Sequence, residues 1–197
     1  MKLTLKIMFR FTIPLATLVF MSACAHTITI NPAIATHAET NLNPKKVAYV
    51  MTDASRNKQV TTAGGGGDKV TYSPYRDLEK MIRETLRAIY SDVSVIQSTS
   101  DTETMKANNI AFVFVPEIIT FSSSDSAFTW PPTKFSIEIN CNVTDTNGNV
   151  ITSLKATGNG FAEFSEFKND FGLAGRRAAS DVSEKLKQKI ASHKNLN

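Results

Sequence analysis

The strict alternation of apolar and polar residues from 135 to 143 is the feature that most constrains the fold. The apolar side chains fall at every second position, so they share one face of a strand. A second apolar-rich segment covers residues 150–164, and Asn147-Gly148 between the two segments is a strong turn signal. The pattern predicts an antiparallel hairpin with one buried face, on which Cys141 is a core thiol. Gly158 and Gly160 in the second strand predict a bulge or a bend.

Two other segments have the periodicity of amphipathic helices. The first opens at Ser73-Pro74, where a hydroxyl cap precedes a proline at the first helical position. Its apolar stripe consists of Tyr75, Leu78, Ile82, Leu86 and Ile89. The second helix is expected to be capped by Asn169 or Asp170. Its inner stripe consists of Phe171, Gly175, Ala178, Val182, Leu186 and Ile190, whose small members permit close approach to a sheet.

The remaining apolar segments predict further strands of one sheet, at Lys46–Thr52, around Val93 and at 110–121. Pro116 cannot donate to a ladder, so a bulge or an edge is expected there. The predicted fold is an α/β (α+β) two-layer sandwich, with a mostly antiparallel sheet of about five strands and two amphipathic helices on one face. The other sheet face is expected to be either wet or buried against a partner.

The amino terminus has the layout of an export signal that ends at a cysteine. A cationic start precedes an eleven-residue apolar run ending at Met21, which is too short to span a bilayer as a helix. Ser22-Ala23-Cys24 then resembles a bacterial lipobox, with Met21 at the position usually held by leucine. Cleavage between Ala23 and Cys24 is predicted, with Cys24 lipidated as the first mature residue. The alternative is an ordinary secretory signal cut near Ala23 or Ala25.

A lipidated Cys24 confines the protein to a membrane surface, because each buried methylene contributes about 0.8 kcal/mol and bacterial lipoproteins carry three chains. In enterobacterial-type lipoproteins an aspartate after the cysteine favours the inner membrane, and Ala25 stands there instead. The expected location is the outer membrane, facing the periplasm. The predicted organisation is a signal peptide at 1–23, a lipidated amino terminus and tether at 24–45, a single α/β periplasmic domain at 46–192 and a disordered tail at 193–197.

The overall charge is concentrated in the signal segment. The sequence has 22 Lys and Arg against 18 Asp and Glu, and three of the cations, Lys2, Lys6 and Arg10, precede Cys24. The mature chain therefore has a net charge of only +1. Nucleic-acid binding requires clustered Lys and Arg, which the mature chain lacks. We therefore expect no nucleic-acid partner.

Two loops are candidate binding elements. Four glycines, Gly64–Gly67, precede Asp68 and Lys69, so the pattern of a phosphate-binding loop is not met. A mobile loop is expected there, with ordering on a partner as the alternative. The second loop carries Phe128 and Trp130 beside two prolines and offers a rigid apolar knob for a partner. In the alternative interpretation Trp130 folds back into the core.

The sequence gives no indication of catalysis, of a metal site or of a cofactor. The histidines, His26, His37 and His193, fall in three segments that are expected to be mobile. The spacing after Asp145 does not fit a calcium loop, since glycine falls at the fourth position instead of the sixth. No G-x-S-x-G elbow is present. We therefore expect a protein that is not an enzyme.

Several stretches together resemble the YajG-type family of bacterial lipoproteins. They are Cys24-Ala25 with Thr27-Ile-Thr-Ile-Asn-Pro32, Tyr75-Arg-Asp-Leu78, Thr146-Asn-Gly-Asn149, and Leu154-Lys-Ala-Thr-Gly-Asn-Gly-Phe-Ala-Glu-Phe164. The resemblance covers nearly the whole mature chain in element order. More distantly, the order is similar to small α/β domains of envelope-assembly lipoproteins. The resemblance implies an outer-membrane lipoprotein and supplies no catalytic residues.

These observations favour a non-enzymatic binding or assembly domain that is tethered by Cys24 and contacts an envelope protein partner. The alternative is a lipid-anchored carrier of a small apolar ligand, or an envelope hydrolase. In a carrier, the phenylalanines at 161, 164, 167 and 171 would line a pocket.

The lipid anchor is tested by Cys24→Ser, which removes the thiol that accepts the lipid. The variant is expected to leave the membrane fraction and appear in the soluble periplasmic fraction. Cys141→Ser is the control, because it removes the other thiol and is expected to stay membrane-bound. Unchanged membrane fractionation of Cys24→Ser refutes the anchor.

Overall fold

A computed structural model of the protein describes residues 25–33, 41–167 and 169–197. The predicted signal peptide, the cleavage site at Ala23 and the lipidation site at Cys24 lie outside the described residues. In chain order the elements are β1 (His26–Thr27), β2 (Asn43–Val50), α1 (Asp53–Asn57), β3 (Val60–Ala63), β4 (Lys69–Tyr72), α2 (Pro74–Arg87), β5 (Tyr90–Ile96), α3 (Thr102–Ala107), β6 (Ile110–Ser123), β7 (Lys134–Thr144), β8 (Val150–Phe161), α4 (Phe164–Phe167) and α5 (Leu173–Ser192).

The main sheet has five strands in the order β5-β2-β6-β7-β8, and it confirms the predicted two-layer sandwich. The β6–β7 and β7–β8 pairs are antiparallel, whereas β2 is parallel to both β5 and β6. The pairings are therefore evenly divided, and the sheet is less antiparallel than expected. The reason is connectivity: α2 lies between β2 and β5 and α3 lies between β5 and β6, and such helical crossovers join parallel strands.

The inner face of this sheet is covered by the two predicted amphipathic helices, α2 and α5. Gly158 and Gly160 lie on that face, and a Cβ at either position would overlap the backbone of α5 at Ala178 or Ala174. The strand stays in register with β7 from Thr152 to Phe161, so there is no bulge at either glycine, and the alternative of a bend stays a prediction. The glycines instead make room for the small residues of the helix, whose close approach to the sheet was predicted.

Pro116 marks the place where one neighbour of β6 ends. It faces Cys141 on β7 without a register shift, so it causes no bulge. On the other side of β6, the last residue paired with β2 is Phe114, opposite Tyr49. The pairing of β6 with β2 therefore ends before Pro116, which agrees with the predicted edge and not with a bulge. At an edge, the missing N–H of proline costs no ladder hydrogen bond. Cys141 is buried as predicted, and burial raises the pKa of its thiol to about 12.

The outer face of the sheet is partly covered and partly polar. The predicted polar connector at 98–109 contains the short helix α3, whose Met105 is buried in a second cluster with Ile110 and Val113. Toward β8 the outer face is wet, since Lys155 forms an ion pair with Glu138 at 2.8 Å.

Along the free edge of β8, backbone groups bond to side chains of α5: Lys185 Nζ donates to Thr157 O, Arg177 Nη1 donates to Phe161 O, and Asn159 N donates to Asp181 Oδ2.

The segment at 25–33 is packed into the domain, which corrects the expectation of a tether there. His26–Thr27 pairs with β4 as the edge of a small sheet of order β1-β4-β3. Ile28 and Ile30 are buried, and Ile30 N donates to Asp77 Oδ2 on α2 at 3.2 Å. The polar and glycine-rich composition of residues 55–71 concealed β3 and β4, so this sheet was not predicted.

The predicted disordered tail at 193–197 is also packed. Leu196 is fully buried, and its carbonyl oxygen accepts from Tyr90 Oη and Asn43 Nδ2, each at 3.2 Å. Lys45 Nζ donates to the Asn197 carbonyl oxygen at 2.7 Å. One leucine in a polar tail is therefore sufficient to close the end of the core. In the described part of the chain, no helix has both the length and the apolar character needed to cross a membrane.

The packed amino-terminal segment predicts a large stability effect for Ile30→Ala. Deleting a fully buried isoleucine side chain lowers the free energy of unfolding by about 2–5 kcal/mol. Thr29→Ala is the matched control, because Thr29 is the exposed neighbour and its change is expected to stay within about 0.5 kcal/mol. Chemical denaturation measures both variants, and equal stabilities would contradict the packing of this segment.

Candidate functional site

An open groove lined by aromatic side chains lies next to the amino-terminal strand. This aromatic groove has a volume of about 370 Å³ and is lined by Phe128, Thr129, Trp130, Pro131, Phe164, Ser165, Phe167 and Phe171. None of these side chains is ionisable. Phe128 is 98% exposed and Phe164 is 71% exposed, whereas Phe167 is buried and forms part of the core. The groove therefore exposes apolar side chains to its surroundings, while one of its lining residues, Phe167, belongs to the packed core.

The structure gives Trp130 and Phe128, the two predicted partner contacts, different surroundings. Trp130 is partly buried against the core, and its ring stacks on His26 with centroids 4.1 Å apart and planes 22° apart. The Trp130 ring also contacts Phe171, with ring centroids 4.6 Å apart and planes tilted by 48°. Trp130 thus supports the loop from behind, as in the alternative interpretation, and Phe128 is the exposed knob. Their contact with a partner stays a prediction.

Three of the four glycines, Gly64, Gly65 and Gly66, support this loop. Gly65 N donates to Trp130 O at 2.9 Å, and Gly66 N donates to Ser126 O at 3.3 Å. A Cβ at Gly65 would overlap the carbonyl oxygen of Thr129, and one at Gly64 would overlap that of Trp130. The expected mobile loop is therefore the packed turn between β3 and β4. Its glycines allow two backbones to meet without intervening side chains.

A second groove lies on the outer face of the main sheet. This outer-face groove has a volume of about 510 Å³, and exposed Phe121 and Phe161 line it on either side of Ser136. The three residues are neighbours across β6, β7 and β8, because Phe121 faces Ser136 and Ser136 faces Asn159, two residues before Phe161. The phenylalanines expected to line one carrier pocket are thus divided: residue 161 lies here, whereas 164, 167 and 171 lie in the aromatic groove.

The most extensive cluster of titratable groups is structural. Arg56 donates from Nε and Nη2 to the two carboxylate oxygens of Glu79, both at 2.8 Å, and this pairing holds the pKa of Glu79 below its ordinary value. Tyr49 Oη donates to the same carboxylate at 3.2 Å and accepts from Arg83 Nη2 at 2.9 Å. Because Glu79 accepts from Arg56, Tyr49 and Arg83, the network joins α1, α2 and β2.

The two histidines of the described residues, His26 and His193, lie in separate parts of the fold. His26 is held in β1, with its Nε2 3.7 Å from Asp68 Oδ2, and His193 directly follows α5 as its C-cap. Mobile segments were expected at both positions, and the structure instead places both within or next to regular secondary structure. His37 lies outside the described residues. Within the described ranges there is no group of three metal-ligating side chains. The two predicted contact residues, Phe128 and Trp130, thus line the same groove. Within the described residues, no cluster of potential metal ligands lies beside them.

The fold is similar to solved bacterial structures at TM-scores below 0.5. A PelC dodecamer variant from Paraburkholderia phytofirmans is 19% identical, with 80% of this chain and 92% of that chain covered and a TM-score of 0.44. A Xanthomonas campestris protein of the DUF330 family is 14% identical, with 86% and 97% covered and a TM-score of 0.48. A minor lipoprotein from Acinetobacter baumannii is 13% identical, with 75% and 93% covered and a TM-score of 0.45.

No family model matches the chain, and no curated protein matches it. The similarities to solved structures concern the fold alone. Lipoproteins occur among these neighbours, and the YajG-type resemblance stays a prediction.

The support of the loop by the glycine turn is tested by Gly65→Ala. The added methyl overlaps the Thr129 carbonyl, so we expect the loop to move away and the free energy of unfolding to fall by about 1–3 kcal/mol. Trp130, the single tryptophan, should then become more accessible to acrylamide in a fluorescence quenching measurement.

Gly67→Ala is the control for this measurement. Gly67 has a φ of 88° with open space around it, so alanine there introduces backbone strain of about 1–2 kcal/mol without touching the loop. Acrylamide quenching of Trp130 should stay at its original value. Identical quenching in the two variants would show that the turn does not support Trp130.

Proposed function

We propose that this chain is a lipid-anchored bacterial envelope domain that acts by binding a protein partner and is not an enzyme. In this proposal Cys24 carries the lipid, the anchor lies in the outer membrane, and the domain faces the periplasm. The lipobox-like segment ending at Cys24 and the absence of aspartate at Ala25 support the anchor and its location. The YajG-type resemblance agrees with both.

The single observation that carries the binding role is the distribution of exposed apolar side chains. In the described part of the chain, five of the seven large hydrophobic residues that are exposed are phenylalanines near one end of the domain: Phe121, Phe128, Phe161, Phe164 and Phe171. Contiguous exposed apolar surface on a soluble domain is typical of an interaction site. The grooves beside these residues are the places where such a site is expected.

The outer-face groove is the better candidate for a protein partner. Its apolar sides, Phe121 at 65% exposure and Phe161 at 50%, surround a polar floor at Ser136. Lys134 at its rim is paired with Asp125 at 2.6 Å, so a partner meets a charge that is already neutralised. An apolar anchor residue in a groove with a polar rim is the usual arrangement of an interface hot spot.

A carrier and a hydrolase are less well supported. Sites for small ligands enclose most of the ligand surface, whereas each groove here has two phenylalanines that are half exposed or more, Phe121 and Phe161 in one and Phe128 and Phe164 in the other. A serine or cysteine hydrolase needs its nucleophile within hydrogen-bond reach of a base. In the described ranges, no histidine makes such a bond to a serine or cysteine side chain.

Photo-crosslinking in intact cells tests the proposal. A photoreactive benzoylphenylalanine replaces Phe161 in the outer-face groove, and the control replaces Ser153, an exposed residue on the same face of β8 near its other end. We expect one identified envelope protein to be captured from position 161 and not from 153. Phe161→Ser should abolish co-purification of that protein.

Capture of only lipid or a small metabolite at position 161 would contradict a protein-binding role. Equal capture from positions 161 and 153 would contradict the assignment of the groove.

A further inference from the structure

We propose that the aromatic groove rests on the bilayer itself, so that the protein has a second, non-covalent contact with the membrane beside its lipid. The inference rests on the proposed anchor at Cys24 and goes beyond it, because the lipid alone would leave the orientation of the domain free. The occupant of the groove is the interfacial layer of a phospholipid membrane.

The first argument is the length of chain between the anchor and the groove. Consecutive Cα atoms are about 3.8 Å apart, so the Cα of Cys24 lies at most about 7.6 Å from the Cα of His26. His26 is fixed in β1, and its ring stacks on Trp130 in the wall of the groove. A lipid on Cys24 therefore enters the membrane next to this groove.

The second argument is that no tether separates the domain from its anchor. Ile28 and Ile30 are buried, and a hydrogen bond to Asp77 holds the backbone of Ile30 against α2. With the strand held from His26 onward, the domain cannot move away from the lipid by extending residues 26–33. The surface around β1 must lie at the height of the head groups, a layer into which amphipathic surfaces sink by about 5–10 Å.

The third argument is the chemistry of the groove. Its walls are mostly aromatic and its lining has no ionisable side chain, so the lining itself carries no charged side chain out of water when it enters the interface. Tryptophan and other amphipathic rings are enriched at the height of the head groups. Phe128 at the loop tip and Phe164 on α4 are the most exposed apolar side chains of the described residues, and they border the same groove.

The fourth argument is that the loop is stiff. The glycine turn holds its backbone through Gly65 and Gly66, and the Trp130 ring packs against both His26 and Phe171. A loop that is already ordered loses little conformational entropy when it enters the interface. The exposed Phe128 is thus presented to the membrane in a fixed position.

The test uses the lipidated mature chain, 24–197, in vesicles of phosphatidylethanolamine and phosphatidylglycerol, with and without acyl-brominated phospholipid. Because Trp130 is the single tryptophan, Trp130→Phe permits the reporter to be moved. One protein carries Phe128→Trp at the loop tip. The matched control carries Val150→Trp, an exposed apolar position at the start of β8, about 36 Å along the strand from Phe161 at its other end.

We expect the emission of the reporter at position 128 to shift to shorter wavelength on vesicles and to be quenched by the brominated lipid. The reporter at position 150 should keep the emission of an aqueous tryptophan. Water-like emission from both reporters would overturn the proposal, and so would equal quenching of both, because the domain would then have no fixed orientation.

The unaltered protein supplies a second measurement if the reporter variants do not fold. Brominated lipid should quench Trp130 itself, and the pair Phe128→Ser with Phe164→Ser should lose most of that quenching. Undiminished quenching in the double variant would overturn the proposal. A lipid-independent blue shift at position 128 in Cys24→Ser protein, accompanied by dimers in sedimentation, would assign the groove to a second copy of the chain and also overturn it.

Failure of the anchor and failure of the membrane contact are distinguishable. Mass spectrometry of the amino terminus decides whether the cell attaches a lipid to Cys24. If it does not, a maleimide phospholipid is coupled to Cys24 in the purified chain, with Cys141 protected by burial, and the same fluorescence test is applied. The contact at the groove is then judged independently of the natural modification.

Discussion

The burial of Ile30 between the two long helices is the interaction on which the rest of the arrangement depends. Its backbone N–H is bound by Asp77 of α2, and its side chain occupies the space left by the missing side chain of Gly175 in α5. This contact fixes the amino-terminal strand to both helices at once. The strand then pairs with β4, and His26 packs on Trp130. A local packing event thus brings the segment at 25–33, a small sheet and the aromatic groove to one place.

Absent side chains have a comparable role elsewhere in the domain. Gly158 and Gly160 on β8 allow α5 to lie directly on the strand, and Gly64 and Gly65 allow a turn to lie directly on the Trp130 loop. In each case two backbones approach more closely than any Cβ would permit. The cost is the extra conformational entropy that glycine loses on folding. In return, these elements are held by direct contact between their backbones as well as by side chains.

Periodicity predicted the parts of the fold that bury long regular faces. The hairpin of β7 and β8, the helices α2 and α5 and the buried thiol of Cys141 all follow from spacing, because each presents several apolar residues to one core. The small sheet, the packed tail and the packed segment at 25–33 do not follow, since each is held by one or two residues such as Leu196 or Ile30. Of the candidate site, Phe128 and Trp130 could be selected as a Trp-Pro loop, whereas Phe164 and Phe171 reach it only through the tertiary fold.

The hydrogen bonds between α5 side chains and the free edge of β8 affect how neighbouring copies would meet on a membrane surface. Proteins held on a membrane are confined to two dimensions, where lateral encounters between neighbours are frequent. An exposed strand edge in that setting is a template for sheet growth from one molecule to the next. Here Lys185, Asp181 and Arg177 occupy the backbone groups of the last residues of β8. In the proposed membrane-anchored state, crowded copies can therefore lie side by side without their sheets merging.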